Sequence, residues 1–361
     1  MEEVLEQLFI TDRDIFDLVM SSKQRLTLPV IRSLLRDRRI FCSRDANRED
    51  LANHLSMLPH DYNDLASLIE SSSAGQRMEK TTFVELPPDV SVEDVKAAIR
   101  AYAHDVPADK VSFPSTGRSS LSANIEYTEL DFSRNRLAQR QKREAQIEVS
   151  AGERATILRM PANDKTKHLV DDIRRRISEA KLIDLPVNRL SLAPLRTPES
   201  RSAFFTTLIT SIPGFDLQTV TSVKVATFDN DGPEDDLDDE VGDAREEALA
   251  VVNKVALGGE NLIATEEFRQ LSDRGFFIVG LTWRSIQKDT PGDLMKFGVS
   301  FEEPVPGNGM RYTVRYAQRL GADHYATSFR RLPDSRESAL FGVLEKTAMN
   351  VLSAAMAEEG R

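Results

Sequence analysis

Apolar residues recur at helical spacing through the first part of the chain. The clearest face comes from Leu28, Ile31 and Leu35, which lie three and four residues apart. A further helix is predicted to begin after Asn47, a residue type that caps helices because its side chain accepts a backbone hydrogen bond. The pattern predicts a small helical module over residues 1–75.

From residue 78 to 228, segments with the period-two alternation of strands are mixed with segments of helical spacing. We expect strands over 81–86, 121–132 and 220–228, a hairpin over 143–160, and helices over 92–103, 166–180 and 198–212. This mixture predicts a central α/β domain.

Two stretches of that domain resemble each other. TTFVELPPDVSVEDVKAAIR and ATILRMPANDKTKHLVDDIR each show a strand, a proline and then a helix, and Pro87 aligns with Pro161. The pattern is explained either by an internal duplication or by the common appearance of strand-turn-helix units.

The last part of the chain, residues 248–361, alternates strongly. We expect a helix over 244–255, strands over 276–284, 296–302, 310–317 and 325–330, and a final helix over 335–357. The apolar residues of each of the first three strands share one face, which the final helix can cover. The sequence therefore predicts an α+β fold with a C-terminal antiparallel sheet covered by a long helix.

Nearly all the excess charge lies in one segment. The chain carries a formal −11, and residues 229–247 hold eleven carboxylates and one base, a net of about −10 (−11 and +1). A calcium loop is excluded because Pro233 and Glu234 take the fifth and sixth positions counted from Asp229. We predict a self-repelling acidic linker over 229–247. The alternative is that this segment folds over the chain's own arginine-rich patch.

Basic residues concentrate in two places. Residues 23–48 carry eight bases against Asp37 and Asp45, a local net of about +6, and these bases are Lys23, Arg25, Arg32, Arg36, Arg38, Arg39, Arg44 and Arg48. The second cluster connects two predicted strands and consists of Arg134, Arg136, Arg140, Lys142 and Arg143. Arginine suits phosphate because its planar fork donates two hydrogen bonds at once. Both clusters are candidate nucleic-acid contacts, and solvated surface is the alternative for each.

Residues 24–58, QRLTLPVIRSLLRDRRIFCSRDANREDLANHLSML, resemble the SAP or helix-extension-helix family. The shared pattern is a helix, a basic turn, a short apolar extension and a second helix. Arg39 stands where the family usually has a turn glycine, and Asp45-Ala46-Asn47 replaces its loop glycine. The resemblance implies an accessory binding module and no catalysis.

No catalytic motif is evident in the chain. The histidines lack metal-ligand spacing, and Cys42 is the only cysteine, so no intrachain disulfide can form. We expect no cofactor and no metal, no membrane segment and a cytoplasmic location, although an enzyme of an unrecognised type stays open. We predict a non-enzymatic accessory or regulatory protein that binds DNA or RNA through the N-terminal module. The alternative is an adaptor subunit of a protein assembly, and in either case we expect a protein partner or self-association.

Overall fold

The computed structural model describes residues 10–72, 79–117, 119–152, 155–185, 189–228, 254–258, 266–288, 292–321 and 324–359. The acidic segment 229–247 lies outside these residues. The chain forms two compact units that interleave along the sequence. The first comprises residues 1–79, 97–116 and 121–147, and the second comprises residues 80–96, 117–120 and 148–361. These limits differ from those of the four consecutive segments predicted above.

The N-terminal part of the first unit is helical. Its helices are α1 (Asp12–Ser21), α2 (Leu28–Asp37), α3 (Arg48–Ser56) and α4 (Tyr62–Ser72). Thr11 and Asn47 form capping boxes at the starts of α1 and α3, which satisfy amide groups that a helix leaves unpaired. The inward residues form one apolar cluster, in which Leu18, Ile31 and Leu51 are fully buried. The predicted helices are therefore present over the described residues.

The first unit also contains strands. They are β2 (Lys110–Thr116), most of β3 (Ser120–Leu130) and most of β4 (Arg140–Ala151). Residues 97–105 of helix α5 (Val92–Asp105) precede them in this unit. A 3-10 turn, Arg136–Ala138, lies between β3 and β4. Its Leu137 is buried in the apolar cluster of the N-terminal helices. The β3–β4 connection thus helps to close the helical core.

The second unit is built on an antiparallel sheet, whose strands are β1 (Thr81–Leu86), β5 (Thr156–Pro161), β6 (Phe215–Ala226), β7 (Lys254–Gly258), β8 (Phe277–Gln287), β9 (Leu294–Glu303) and β10 (Asn308–Ala317). Their order in the sheet is β5-β1-β10-β9-β8-β6-β7. Residues 148–151 of β4 pair with β5. The helices are α6 (Asp164–Lys181), α7 (Pro198–Ser211), α8 (Glu266–Asp273) and α9 (Asp334–Glu359).

Helices α7 and α9 cover one face of this sheet. Phe204 and Phe205 of α7 and Leu344 of α9 share a core with Trp283 and Phe297 of the strands. The rings of Trp283 and Phe297 stack with centroids 5.5 Å apart. The predicted α+β fold is confirmed, including the C-terminal antiparallel sheet and its long helix.

One element prediction is wrong, and a second is wrong over the two of its residues that the structure describes. Residues 325–330 form isolated bridges, Arg319 to Tyr325 and Tyr316 to Arg330, where a full strand was expected. Lys254 and Val255, the end of the predicted helix 244–255, belong to strand β7. Since β7 pairs with β6, residues 229–247 connect two neighbouring strands of one sheet.

The two similar stretches meet in the sheet. The first supplies β1 and the second supplies β5, and these strands pair antiparallel. Val84 faces Leu158, and the alignment that matches Pro87 with Pro161 also matches these two residues. The register is thus symmetric about this pair, as it would be if two equivalent units were related by a two-fold axis. The duplication itself stays a prediction.

Candidate nucleic-acid interface

The loop between α2 and α3 presents an aromatic side chain to solvent. Arg39 takes a left-handed backbone conformation, with φ of +61°, at the position where the resembled family has glycine. The extended residues that follow alternate, so that Ile40 and Cys42 pack against the helical core. Phe41, between them, is 83% exposed. Helix packing therefore fixes the loop and turns the Phe41 ring outward.

Three of the eight N-terminal bases hold the module together. Arg48 donates from Nη2 to the carbonyl oxygens of Val19 at 2.6 Å and Leu26 at 2.7 Å, which ties α3 to the end of α1 and the loop after it. Burial lowers the pKa of the Arg48 guanidinium. Arg32 donates to the carbonyl oxygen of Arg44 at 2.7 Å. These guanidinium groups satisfy backbone carbonyls, which is a structural role.

Arg38 has a similar role at the other end of the loop. It donates to the carbonyl oxygen of Pro59 at 2.6 Å and forms an ion pair with Asp64 at 2.5 Å. The backbone amide of Asp61 and the nearby Arg38 hold the pKa of Asp64 below its ordinary value. Arg38 thus fixes the start of α4.

The other five bases are exposed. None of them makes an ion pair with another residue that the structure describes, and they are Lys23, Arg25, Arg36, Arg39 and Arg44. Arg36, Arg39 and Arg44 lie within nine residues of sequence, with Phe41 among them. Residues 10–72 as a whole contain nine bases and ten carboxylates, so any attraction for an anion must be local.

The second predicted cluster, like the first, contains both basic residues that pair within the protein and basic residues that are exposed. Arg134 pairs with Asp131 at 2.7 Å, Arg143 pairs with Glu129 at 2.8 Å, and Arg136 lies 3.6 Å from Asp14. Arg140 and Lys142 are exposed on β4 and make no ion pair with another described residue. Phe132, before the 3-10 turn, is 78% exposed. This cluster therefore also combines exposed bases with an exposed ring.

A buried ion pair in the second unit joins α9 to the sheet. Arg159 of β5 donates to both carboxylate oxygens of Glu345 at 2.7–3.0 Å, and Tyr312 donates to the same carboxylate. Burial alone would lower the pKa of Arg159, but its bonds to Glu345 outweigh burial and raise it. Arg159 also donates to Ser338. The fully buried Glu345 is thus well hydrogen-bonded, as a structural network requires.

A set of basic residues that was not predicted from the sequence lies on the sheet face opposite α7 and α9. Arg284, Lys296 and Arg315 alternate with the buried residues Trp283, Phe297 and Val314. The alternation of basic and apolar residues along each strand indicates which face each side chain takes, because successive residues of a strand point to opposite faces of the sheet. The strand register was needed to place these bases next to one another.

No protein-family model and no curated protein matches the sequence. Within the described part of the chain, no helix has the length and apolarity needed to cross a membrane. The same residues contain no cluster of three histidine, cysteine or carboxylate side chains suited to a metal ion.

Proposed function

We propose that this protein binds nucleic acid through the exposed arginines of its N-terminal helical module and acts as a non-enzymatic accessory or regulatory protein. The observation that carries the proposal is Phe41, exposed between Arg39 and Arg44 on a loop fixed by the core. Proteins that bind single-stranded nucleic acid combine basic side chains, which contact the phosphates, with aromatic rings, on which the nucleobases stack. Phe41 does not contribute to the apolar core, because its ring is exposed to solvent.

The binding surface consists of the exposed residues only. Arg32, Arg38 and Arg48 are excluded because their guanidinium groups bond to the module itself. Arg36, Arg39 and Arg44 supply three phosphate contacts. For a single strand, three contacts correspond to a slope of about −2 in log affinity against log salt concentration.

The test is fluorescence anisotropy of labelled single- and double-stranded DNA and RNA across a salt series. The variant Arg36→Gln, Arg39→Gln, Arg44→Gln should lose binding and retain the unfolding midpoint of the natural sequence. Phe41→Ala should weaken single-strand binding by about 1–3 kcal/mol. Arg13→Gln is the matched control, because Arg13 is an exposed base of the same module. Undiminished binding by the triple variant would exclude this surface.

The adaptor function remains the second candidate, and exposed apolar side chains favour it. Phe41 and Met57, which is 76% exposed, could contact a protein partner. The same variants distinguish the two functions. Under the adaptor function, a complex with a protein partner survives the triple arginine variant and is lost in Phe41→Ala, and the purified protein binds no nucleic acid at low salt.

A further inference from the structure

The β3–β4 connection, residues 131–139, exposes an aromatic ring on an ordered backbone. Phe132 is 78% exposed. The amide of Asp131 donates to the carbonyl oxygen of Gln139 at 2.8 Å, which closes the connection at its base. Within it, the Asp131 carboxylate accepts from Arg134 Nε at 2.7 Å, and the side-chain amide of Gln139 donates to the carbonyl oxygen of Arg134 at 3.2 Å. Because these bonds fix the loop, a ligand that contacts the ring has little backbone freedom to remove.

This connection is anchored in the helical part of the first unit. Leu137, in its 3-10 turn, is buried in the apolar cluster of the N-terminal helices, and the turn contacts α1 and α4. The loop that carries Phe41 is also fixed to α4, because Arg38 pairs with Asp64 in the first turn of that helix. Since α4 has 11 residues and is about 16 Å long, the two anchoring points lie within that distance along one helix.

The charge around the Phe132 ring is positive. Residues 129–143 contain five basic residues and two carboxylates, a net of about +3 (+5 and −2). Both carboxylates pair with arginines of the same segment, at 2.7 and 2.8 Å. Arg140 and Lys142 are exposed at the start of β4 and make no ion pair with another described residue. They are two residues apart on one strand, so their side chains point to the same face of the sheet.

We infer that the β3–β4 connection is a second contact site for nucleic acid, at which a nucleobase stacks on Phe132 and phosphates contact Arg140 and Lys142. This inference rests on the proposed function and narrows its ligand to a single strand that reaches both sites. The same combination of an exposed ring, a fixed backbone and unpaired basic side chains occurs around Phe41. Stacking on a protein ring requires a base whose face is accessible, which a single strand offers and a duplex does not.

Two contact sites on one compact unit strengthen each other. Once a strand is bound at Phe41, its contact with Phe132 is intramolecular, and the affinity for a long strand exceeds that of either site alone. Five phosphate contacts, three from the helical module and two from β4, correspond to a slope of about −3.5 in log affinity against log salt concentration. A strand too short to reach both sites gives a slope no steeper than about −2.

The test is fluorescence anisotropy of the full chain with single-stranded DNA of about 4 and about 20 nucleotides across a salt series. The double variant Arg140→Gln, Lys142→Gln should reduce the long-strand slope from about −3.5 to about −2. Phe132→Ala should weaken long-strand binding about 5- to 150-fold, whereas Phe132→Tyr, which keeps the ring, should retain it. Arg13→Gln is the matched control, because it removes an exposed charge of the same unit and should leave the slope unchanged.

A long-strand slope that the double variant does not change would overturn the second site and leave the proposed function intact. Binding that survives the triple arginine variant but is lost in the double variant would instead refute the proposed surface and support this site. Poly-glutamate carries negative charge without nucleobases and tests for an acidic protein partner. If poly-glutamate displaces the long strand from the natural sequence and from Phe132→Ala equally well, and Phe132→Ala binds the strand with full affinity, the inference is overturned.

Discussion

Replacing Arg48 by methionine should loosen the N-terminal helices. Methionine keeps most of the aliphatic volume but removes the two hydrogen bonds to the carbonyl oxygens of Val19 and Leu26. Hydrogen bonds to charged groups contribute about 1.5–3 kcal/mol each. One nitrogen serves both carbonyls and the side chain is partly exposed, so we expect a loss of about 2–4 kcal/mol in the free energy of unfolding of these helices.

The assay must follow the first unit. Trp283, the only tryptophan, is buried in the second unit, so its fluorescence reports on that unit. Native-state hydrogen exchange of amides in α1, α2 and α3 reports on the helices. Arg36→Met, at an exposed arginine of α2, should change stability by less than about 0.5 kcal/mol. Equal exchange rates in the Arg48 and Arg36 variants would refute the division between structural and exposed arginines.

Three further outcomes are expected. Glu345→Ala should destabilise the protein by about 3–5 kcal/mol because it leaves Arg159 buried without its carboxylate, and Arg159→Met in the same chain should recover part of that loss in urea denaturation. Carbon NMR should give the Asp64 carboxyl a pKa below its ordinary value, and Arg38→Gln should raise that pKa. Because the folded pKa is the lower one, the contribution of Asp64 to stability should be fully present above its unfolded pKa. That contribution should be lost as the pH falls through the folded pKa. Leu137→Ala should cost about 2–5 kcal/mol and increase hydrogen exchange in α1 and α4, whereas an unchanged rate would show that the β3–β4 connection does not support the helices.

The periodic elements of this chain could be predicted from the sequence. In α9, Leu344, Ala348 and Val351 lie on one side at intervals of three and four residues, and this spacing indicates a helix in any context. Alternation likewise predicted β9 and β10, because each pairs one buried face with one polar face. In β8 the expected single apolar face is wrong, because a bulge lies at Val279 and residues 277–281 are all buried, with Phe277 and Val279 in a different cluster from Leu281 and Trp283. These patterns were sufficient for the fold class.

Short apolar segments were less informative. The residues of β7 form a strand because β6 offers them a pairing edge, and nothing local to Lys254–Gly258 records that neighbour. Residues 325–330 have the composition of a strand, yet only Tyr325 and Arg330 make bridges. Periodicity cannot decide such cases, since the partner of a strand is chosen by tertiary packing.

The site was only partly predictable for a similar reason. The sequence located the arginine clusters, but the acceptors of Arg48 are carbonyl groups 22 and 29 residues away, and Arg38 reaches Pro59 21 residues away. Which bases stay exposed is therefore decided by helix packing. The row of Arg284, Lys296 and Arg315 depends on strand register, which the sequence alone did not determine.

The connection between β6 and β7 also affects the thermodynamics of the sheet. Ala226 and Lys254 face each other, yet 27 residues, 227–253, separate them along the chain. The entropy cost of closing a loop rises by about 0.6 kcal/mol for each doubling of the number of residues, so chain length alone makes this connection roughly 1.5–2 kcal/mol more costly than a hairpin of about four residues. A chain with a short hairpin here would gain a comparable amount of stability while every paired residue of β6 and β7 kept its neighbour.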